Sequence, residues 1–124
     1  MEEKRRNQRY TTIARVVIEE LGNEEGLLKD LSITGCRIEL SDYKEVKQHT
    51  QYKLKIIPEA TSEVEPFLLS VESRWIGTEV DYYEFGFSIN EPPKGKQFKR
   101  YVDYLSWRYS QGNSMTGDNN SEIL

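Results

Sequence analysis

The sequence predicts a mainly β fold: an antiparallel barrel of six short strands with one C-terminal helix. Three observations carry this. Apolar and polar residues alternate in short runs, turn signals separate the runs, and helical spacing enters only after Pro92-Pro93. With no helices interleaved between strands, an antiparallel sheet follows rather than a parallel one, and closing it removes exposed edges.

Thr11 to Leu21 is rich in β-branched residues and reads as the first strand. Gly22-Asn23 is a turn signal, Gly26 to Ser32 a second strand and Gly35 to Leu40 a third. Ser41 to Thr50 is polar and reads as a loop or a short helical turn. Tyr52, Leu54 and Ile56 alternate with Lys53 and Lys55, the mark of a half-buried strand. After the acidic loop Pro58 to Pro66, the alternation assigns Phe67, Leu69, Val71, Ser73 and Trp75 to one face of a long strand. Phe85, Phe87 and Ile89 share one face of the last strand, with Gly86 between them. Phe98, Tyr101, Val102, Leu105 and Tyr109 then form one apolar stripe on a helix over residues 96–111, with Gly112 as its stop. The resulting organisation is a flexible arginine arm over residues 1–10, a barrel over 11–92, the helix, and a disordered tail over 112–124.

At 124 residues the chain is one domain, and with 36% apolar against 31% charged residues its core must be lean. Eight Tyr, four Phe and two Trp set it apart from disordered sequences. A net charge of −4 argues against a general nucleic-acid binder, so no nucleic-acid polymer is expected as partner. The basic run Lys4-Arg5-Arg6 with Arg9 can still hold one compact anion at close range. The single cysteine, Cys36, excludes a disulfide framework and a Cys-based metal cluster, and reads as a small buried hydrophobe. His49 stands alone in a polar stretch and reads as a surface residue. No apolar leader and no run of membrane-spanning length is present, so a cytoplasmic chain without membrane insertion is expected. There is no nucleophile-elbow serine, no glycine-rich loop before a helix and no marked carboxylate pair. The expectation is therefore a binding protein and not an enzyme, with no catalytic residue, no cofactor and no metal.

Two segments carry the chemistry. The first reads KRRNQRY. Guanidinium is planar, permanently charged and forked, suited to phosphate oxygens or to the O6/N7 edge of guanine. Taken alone, such a run is most simply a solvated arm. The second is Asp30-Leu31-Ser32-Ile33-Thr34-Gly35. With Leu31 in the core, Asp30 and Ser32 share the outer face as a small polar platform. The carboxylate accepts from guanine N1 and N2, the hydroxyl serves phosphate or base, and Gly35 permits positive φ and close ligand approach. Taken alone, this is a hairpin turn whose Asp and Ser bind local backbone.

Together the two resemble the PilZ domain, the bacterial receptor module for cyclic di-GMP. The family pattern is RxxxR, a strand, then (D/N)xSxxG; here these are Arg5-x-x-x-Arg9, Thr11 to Leu21 and Asp30-x-Ser32-x-x-Gly35. Cys36-Arg37-Ile38, Arg74-Trp75-Ile76 and Phe85-Gly86-Phe87 are similar to later parts of the family, so the likeness spans residues 4 to about 105. The resemblance implies a six-stranded PilZ-type barrel with a C-terminal helix packed on it and cyclic di-GMP on the barrel surface. Arg5 and Arg9 would clasp guanine and phosphate from the arm, with Arg6 a spare cation, while Asp30, Ser32 and Gly35 line the opposite side. Ordering an arm costs about 1–2 kcal/mol per residue, so only a multi-contact ligand holds it, and ligand binding becomes a disorder-to-order switch.

Arg37 is expected to face solvent and Tyr10 to pack at the barrel rim. On the helix, Arg100, Tyr104 and Trp107 fall outside the apolar stripe and form a candidate patch for a protein partner. Two other readings stand beside the receptor: a nucleotide-independent interaction module, and a small-barrel nucleic-acid binder.

Overall fold

In a computed structural model, which describes residues 8–78, 81–91 and 93–116, the chain forms a closed antiparallel barrel capped by one helix. The strands are β1 (Tyr10–Thr11), β2 (Arg15–Ile18), β3 (Glu24–Leu31), β4 (Gly35–Leu40), β5 (Gln51–Ile57), β6 (Phe67–Thr78) and β7 (Tyr83–Ser88); the helix α1 is Gln97–Thr116. Pairing runs β3-β2-β5-β6-β7-β4 and returns to β3, so six strands close the ring. β1 lies on the edge of β3 that β2 also uses. It is the start of the first strand, cut from β2 by an irregularity at Thr12 to Ala14, where Thr12 N–H still donates to the Lys29 carbonyl and Leu28 N–H to the Ala14 carbonyl. There the Thr12 hydroxyl donates to the Leu28 carbonyl at 2.8 Å and accepts from the Ala14 amide at 2.9 Å. The expected continuous strand Thr11 to Leu21 is thus broken early, and its last residues form a 3-10 turn over Glu19–Leu21. Gly22 (φ 75°) and Asn23 (φ 61°) follow in left-handed conformations, the geometry their turn signal implied.

The core is the set the alternation selects. Leu54 and Ile56 of β5, Leu69 and Val71 of β6, and Phe85, Phe87 and Ile89 at the end of the ring all point inward. Two β-bulges interrupt the pattern. In β3, Leu28 pairs with Ile38 but Asp30 with Arg37, so Lys29 is the extra residue. The bulge lets Leu28 and Leu31, three apart, both enter the core while Lys29 and Asp30 stay out. In β6, Ser73 pairs with Phe87 but Trp75 with Gly86, so Arg74 is the extra residue. Ser73 is buried while Trp75 is 41% exposed. Trp75 therefore does not share the inner face of Phe67, Leu69 and Val71, because the bulge turns it outward.

Helix α1 buries Phe98, Tyr101 and Leu105 against the barrel. Tyr109, assigned to the same stripe, is 48% exposed and instead meets the Tyr10 ring edge-on at 5.7 Å. The helix also continues through Gly112 to Thr116 rather than stopping. A side chain at Gly112 would meet nothing within 4 Å, and a glycine in an exposed helical turn costs only about 1 kcal/mol against alanine. Residues 1–7, with Arg5 and Arg6, and residues 117–124 of the expected tail lie outside the described residues. Segment 41–50 holds no helix; Ser73 Oγ accepts from the Thr50 amide and donates to the Lys47 carbonyl, pinning it as a loop.

Two outcomes test this packing. A Cβ at Gly26 would lie 2.5 Å from both the Glu39 carbonyl oxygen and the buried Leu40 side chain. Overpacking of this kind costs about 1–3 kcal/mol, so Gly26→Ala is expected to lower the thermal midpoint by about 5 °C or more; an unchanged midpoint contradicts the inward placement of residue 26. Cys36 is buried, and burial, reinforced by the Asp30 charge, pushes its thiol up to about 12. A thiol reagent at mildly alkaline pH should leave the native chain unlabelled and label it fully in guanidinium; rapid labelling of the native chain contradicts this.

Candidate ligand-binding site

Asp30 is the centre of the site. Its position just past the β3 bulge aims the carboxylate outward, yet the residue is only 5% exposed. Two guanidinium groups cover it. Arg9 Nη1 donates to Oδ1 at 2.9 Å, and Arg37 Nε donates to Oδ2 at 2.8 Å. Arg37 Nη1 also reaches toward Glu84 Oε1 at 3.5 Å, so charges alternate in sign along Arg9, Asp30, Arg37 and Glu84. Arg37 thus does not simply face solvent; it is held to the carboxylate from the neighbouring strand. Arg9, expected in a flexible arm, is seated on the barrel against Asp30, one residue before β1.

Ser32 and Gly35 shape the turn that follows. Ser32 Oγ accepts from the amides of Thr34 at 3.1 Å and Gly35 at 3.2 Å, and the Ser32 amide donates to the Gly35 carbonyl at 2.9 Å. Its hydroxyl is engaged with the turn and the residue is 2% exposed, so it is not an open outward hydroxyl beside Asp30. Gly35 is not among the residues with positive φ. It is required sterically: a Cβ there would sit 2.8 Å from the Phe87 carbonyl oxygen.

The pairing register extends the site sideways. Asp30 of β3 lies opposite Arg37 of β4, Arg37 opposite Gly86 of β7, and Gly86 opposite Trp75 of β6. These residues form one row across the outer face, about 14 Å long at the usual spacing between strands. Gly86 is a notch in it: a Cβ there would lie 2.2 Å from the indole Nε1 and Cε2 of Trp75. The indole fills that notch while the residue stays partly exposed. Sequence reasoning left Arg37 and Trp75 out of the site. The signals that could have found them are the charged pair Lys29-Asp30 between two core leucines, which breaks the alternation and marks a bulge, and the isolated Gly86 among aromatics.

On α1, Trp107 is 58% exposed and Arg100 is exposed. Tyr104 is partly buried: it stacks on Tyr101, its hydroxyl lies 3.2 Å from Thr61 Oγ1, and the Arg108 guanidinium lies over its ring. The outer patch is therefore Trp107 and Arg100 around a fixed tyrosine. His49 is exposed and lies 3.8 Å from Glu72. Among the described residues, no group of His, Cys, Asp or Glu side chains is arranged to hold a metal, and no helix is long and apolar enough to cross a membrane.

The fold is shared with solved structures of low sequence identity. The Bacillus subtilis inhibitor of motility (MotI/DgrA) matches with a TM-score of 0.73 at 19% identity, over 87% of this chain and 52% of that one. This chain thus spans about half the length of that protein. The PilZ domain of Escherichia coli YcgR, solved with c-di-GMP, matches with a TM-score of 0.70 at 14% identity, over 90% of this chain and 98% of that one. Borreliella burgdorferi PlzA, solved in complex with c-di-GMP, matches with a TM-score of 0.53 at 9% identity, over 93% of this chain and 50% of that one. No protein of curated function matches the sequence. The sequence model of the PilZ domain matches residues 3–106, a span that holds both motifs and the whole closed barrel, and the chain belongs to the PilZ domain family.

Proposed function

We propose that this chain is a receptor for cyclic di-GMP that binds the nucleotide without transforming it and passes the signal to a protein partner in the cytoplasm. The observation that carries this is Asp30 held between Arg9 and Arg37, since it brings the second arginine of the arm onto the carboxylate ledge. In this reading Arg5, Arg9 and Arg6 clasp phosphate and guanine from the arm side. Asp30 accepts from the N1 and N2 donors of a guanine. Ser32 and Gly35 act by fixing the turn that frames the ledge, and Trp75 offers a flat apolar face on which a base can stack. The family membership and the c-di-GMP-bound structures of YcgR and PlzA support the choice of ligand.

Binding has a consistent electrostatic route. Among the described residues Arg9 donates to Asp30 through Nη1 alone and its side chain is 50% exposed, so the guanidinium is accessible to an incoming phosphate. When the guanidinium turns to the ligand, Arg37 remains on the carboxylate and Asp30 is not stranded. The arm then closes over the nucleotide and changes the surface offered to a partner, the helix patch of Arg100, Tyr104 and Trp107 being the proposed contact.

Calorimetry with cyclic di-GMP tests the ligand. Micromolar or tighter binding is expected for the native chain, weakening as salt rises. A bidentate guanidinium–guanine contact is worth about 1–3 kcal/mol, so Arg5→Ala and Arg9→Ala should each weaken binding about tenfold or more; equal affinity in both variants removes the arm from the mechanism. Fluorescence tests the stacking face: in Trp107→Phe, where Trp75 is the remaining tryptophan, the nucleotide should change the emission, and an unaltered spectrum under saturating ligand excludes Trp75. Trp107→Ala should abolish partner capture or self-association while leaving nucleotide affinity intact; no change in either association removes the helix patch.

A further inference from the structure

We infer that Arg108 and Tyr109 of the helix are positioning residues that hold Arg9 in place for the ligand; this rests on the receptor reading above. β1 is two residues long and makes only two ladder pairs with β3, Tyr10 with Leu31 and Thr11 with Asp30. Beyond it the regular pairing is interrupted before β2 begins, and two backbone bonds bridge the gap, Thr12 N–H to the Lys29 carbonyl and Leu28 N–H to the Ala14 carbonyl. So short a strand has little stability of its own. The helix adds side-chain contacts to these few backbone bonds. Arg108 Nη2 donates to the Thr11 carbonyl at 3.0 Å, and the Tyr109 ring receives Tyr10 edge-on.

The grip is itself fixed. Arg108 Nη1 donates to Glu59 Oε2 at 3.0 Å, and the Tyr101 hydroxyl donates to Glu59 Oε1 at 2.7 Å. The Glu59 side chain is 9% exposed, and the guanidinium also lies over the Tyr104 ring at 5.8 Å. One planar fork thus spans a buried carboxylate on the β5–β6 loop and a backbone carbonyl of β1. A lysine would have to serve both acceptors from one nitrogen on a different stem, where arginine uses two separate nitrogens of a rigid fork. Arg9 is the residue adjoining this clamped pair, so its reach to Asp30 depends on two residues that never touch the ligand. By linkage, a ligand that tightens the arm must also tighten the last turns of α1, the part of the helix that carries Trp107.

The test uses the full chain with two variants, Arg108→Lys, which keeps a cation beside Glu59, and Tyr109→Ala, which alters an exposed ring. Cyclic di-GMP affinity is measured by calorimetry and amide exchange of Thr12, whose N–H donates to the Lys29 carbonyl, by NMR. Each variant should bind the nucleotide about five-fold more weakly or worse, with faster Thr12 exchange and unchanged exchange in β5 and β6. Native affinity in both variants, with the native chain binding, overturns the inference and leaves the receptor reading standing. Should the native chain not bind the nucleotide, the receptor reading fails, and Thr12 exchange decides the grip alone: faster exchange in the variants supports it and unaltered exchange overturns it.

Discussion

A carboxylate taken almost wholly out of water must be matched by positive charge, and Asp30 is matched twice. Leaving such a group without a partner costs several kcal/mol, far more than an exposed ion pair contributes. The two arginines are not equivalent. Arg37 comes from the adjacent strand and its side chain is 37% exposed; Arg9 comes from the chain's first segment and is 50% exposed. The strand arginine can neutralise the carboxylate by itself, which leaves the arm arginine free to exchange its partner. With Arg9 as the sole partner, the phosphate contact proposed for Arg9 would leave the carboxylate unpaired. In the proposed receptor, the pairing of a fixed cation with a removable one lets a buried acid serve a reversible site.

The barrel makes this arrangement possible through two added residues. Without the bulge at Lys29, inward placement of Leu28 would turn Asp30 inward and Leu31 outward, since strict alternation cannot bury residues three apart. Without the bulge at Arg74, Trp75 would follow Val71 and Ser73 into a core already filled by Phe85 and Phe87. Each bulge frames one end of the same outer row. Gly86, between them, is the only residue type that leaves room for the indole. Chemistry on the outside of the sheet is thus set by packing demands on its inside.

Most of the barrel was legible because period-two alternation is a direct consequence of burying one face. The boundaries of β4 and the inward set of β5 and β7 follow from it without correction. The bulges were less legible. In β6 the run from Phe67 to Trp75 reads as unbroken alternation, and the register shift is visible only once Gly86 is known to lie opposite. The helix stripe was right for Phe98, Tyr101 and Leu105 and wrong for Tyr109, because spacing along a helix identifies a face but not where the barrel beneath it ends. The site motif was readable as a list of residue types, yet two of its physical roles were not. Ser32 serves its own turn, and Gly35 answers a steric demand from Phe87 on a strand more than fifty positions away.

The length of α1 has its own logic. A helix that only capped the barrel could end near Leu105, where its last fully buried contact is made. The turns beyond that point add little apolar burial. They contribute instead an ion pair to Glu59, a hydrogen bond to the Thr11 carbonyl and a ring contact with Tyr10. The first half of the helix therefore belongs to the core, and the second half belongs to the arm. Because both halves are one rigid rod, the face bearing Trp107 is mechanically continuous with the strand next to Arg9. A change in how firmly that strand is held has a short path to the protein's most exposed tryptophan, through one guanidinium and one pair of tyrosine rings.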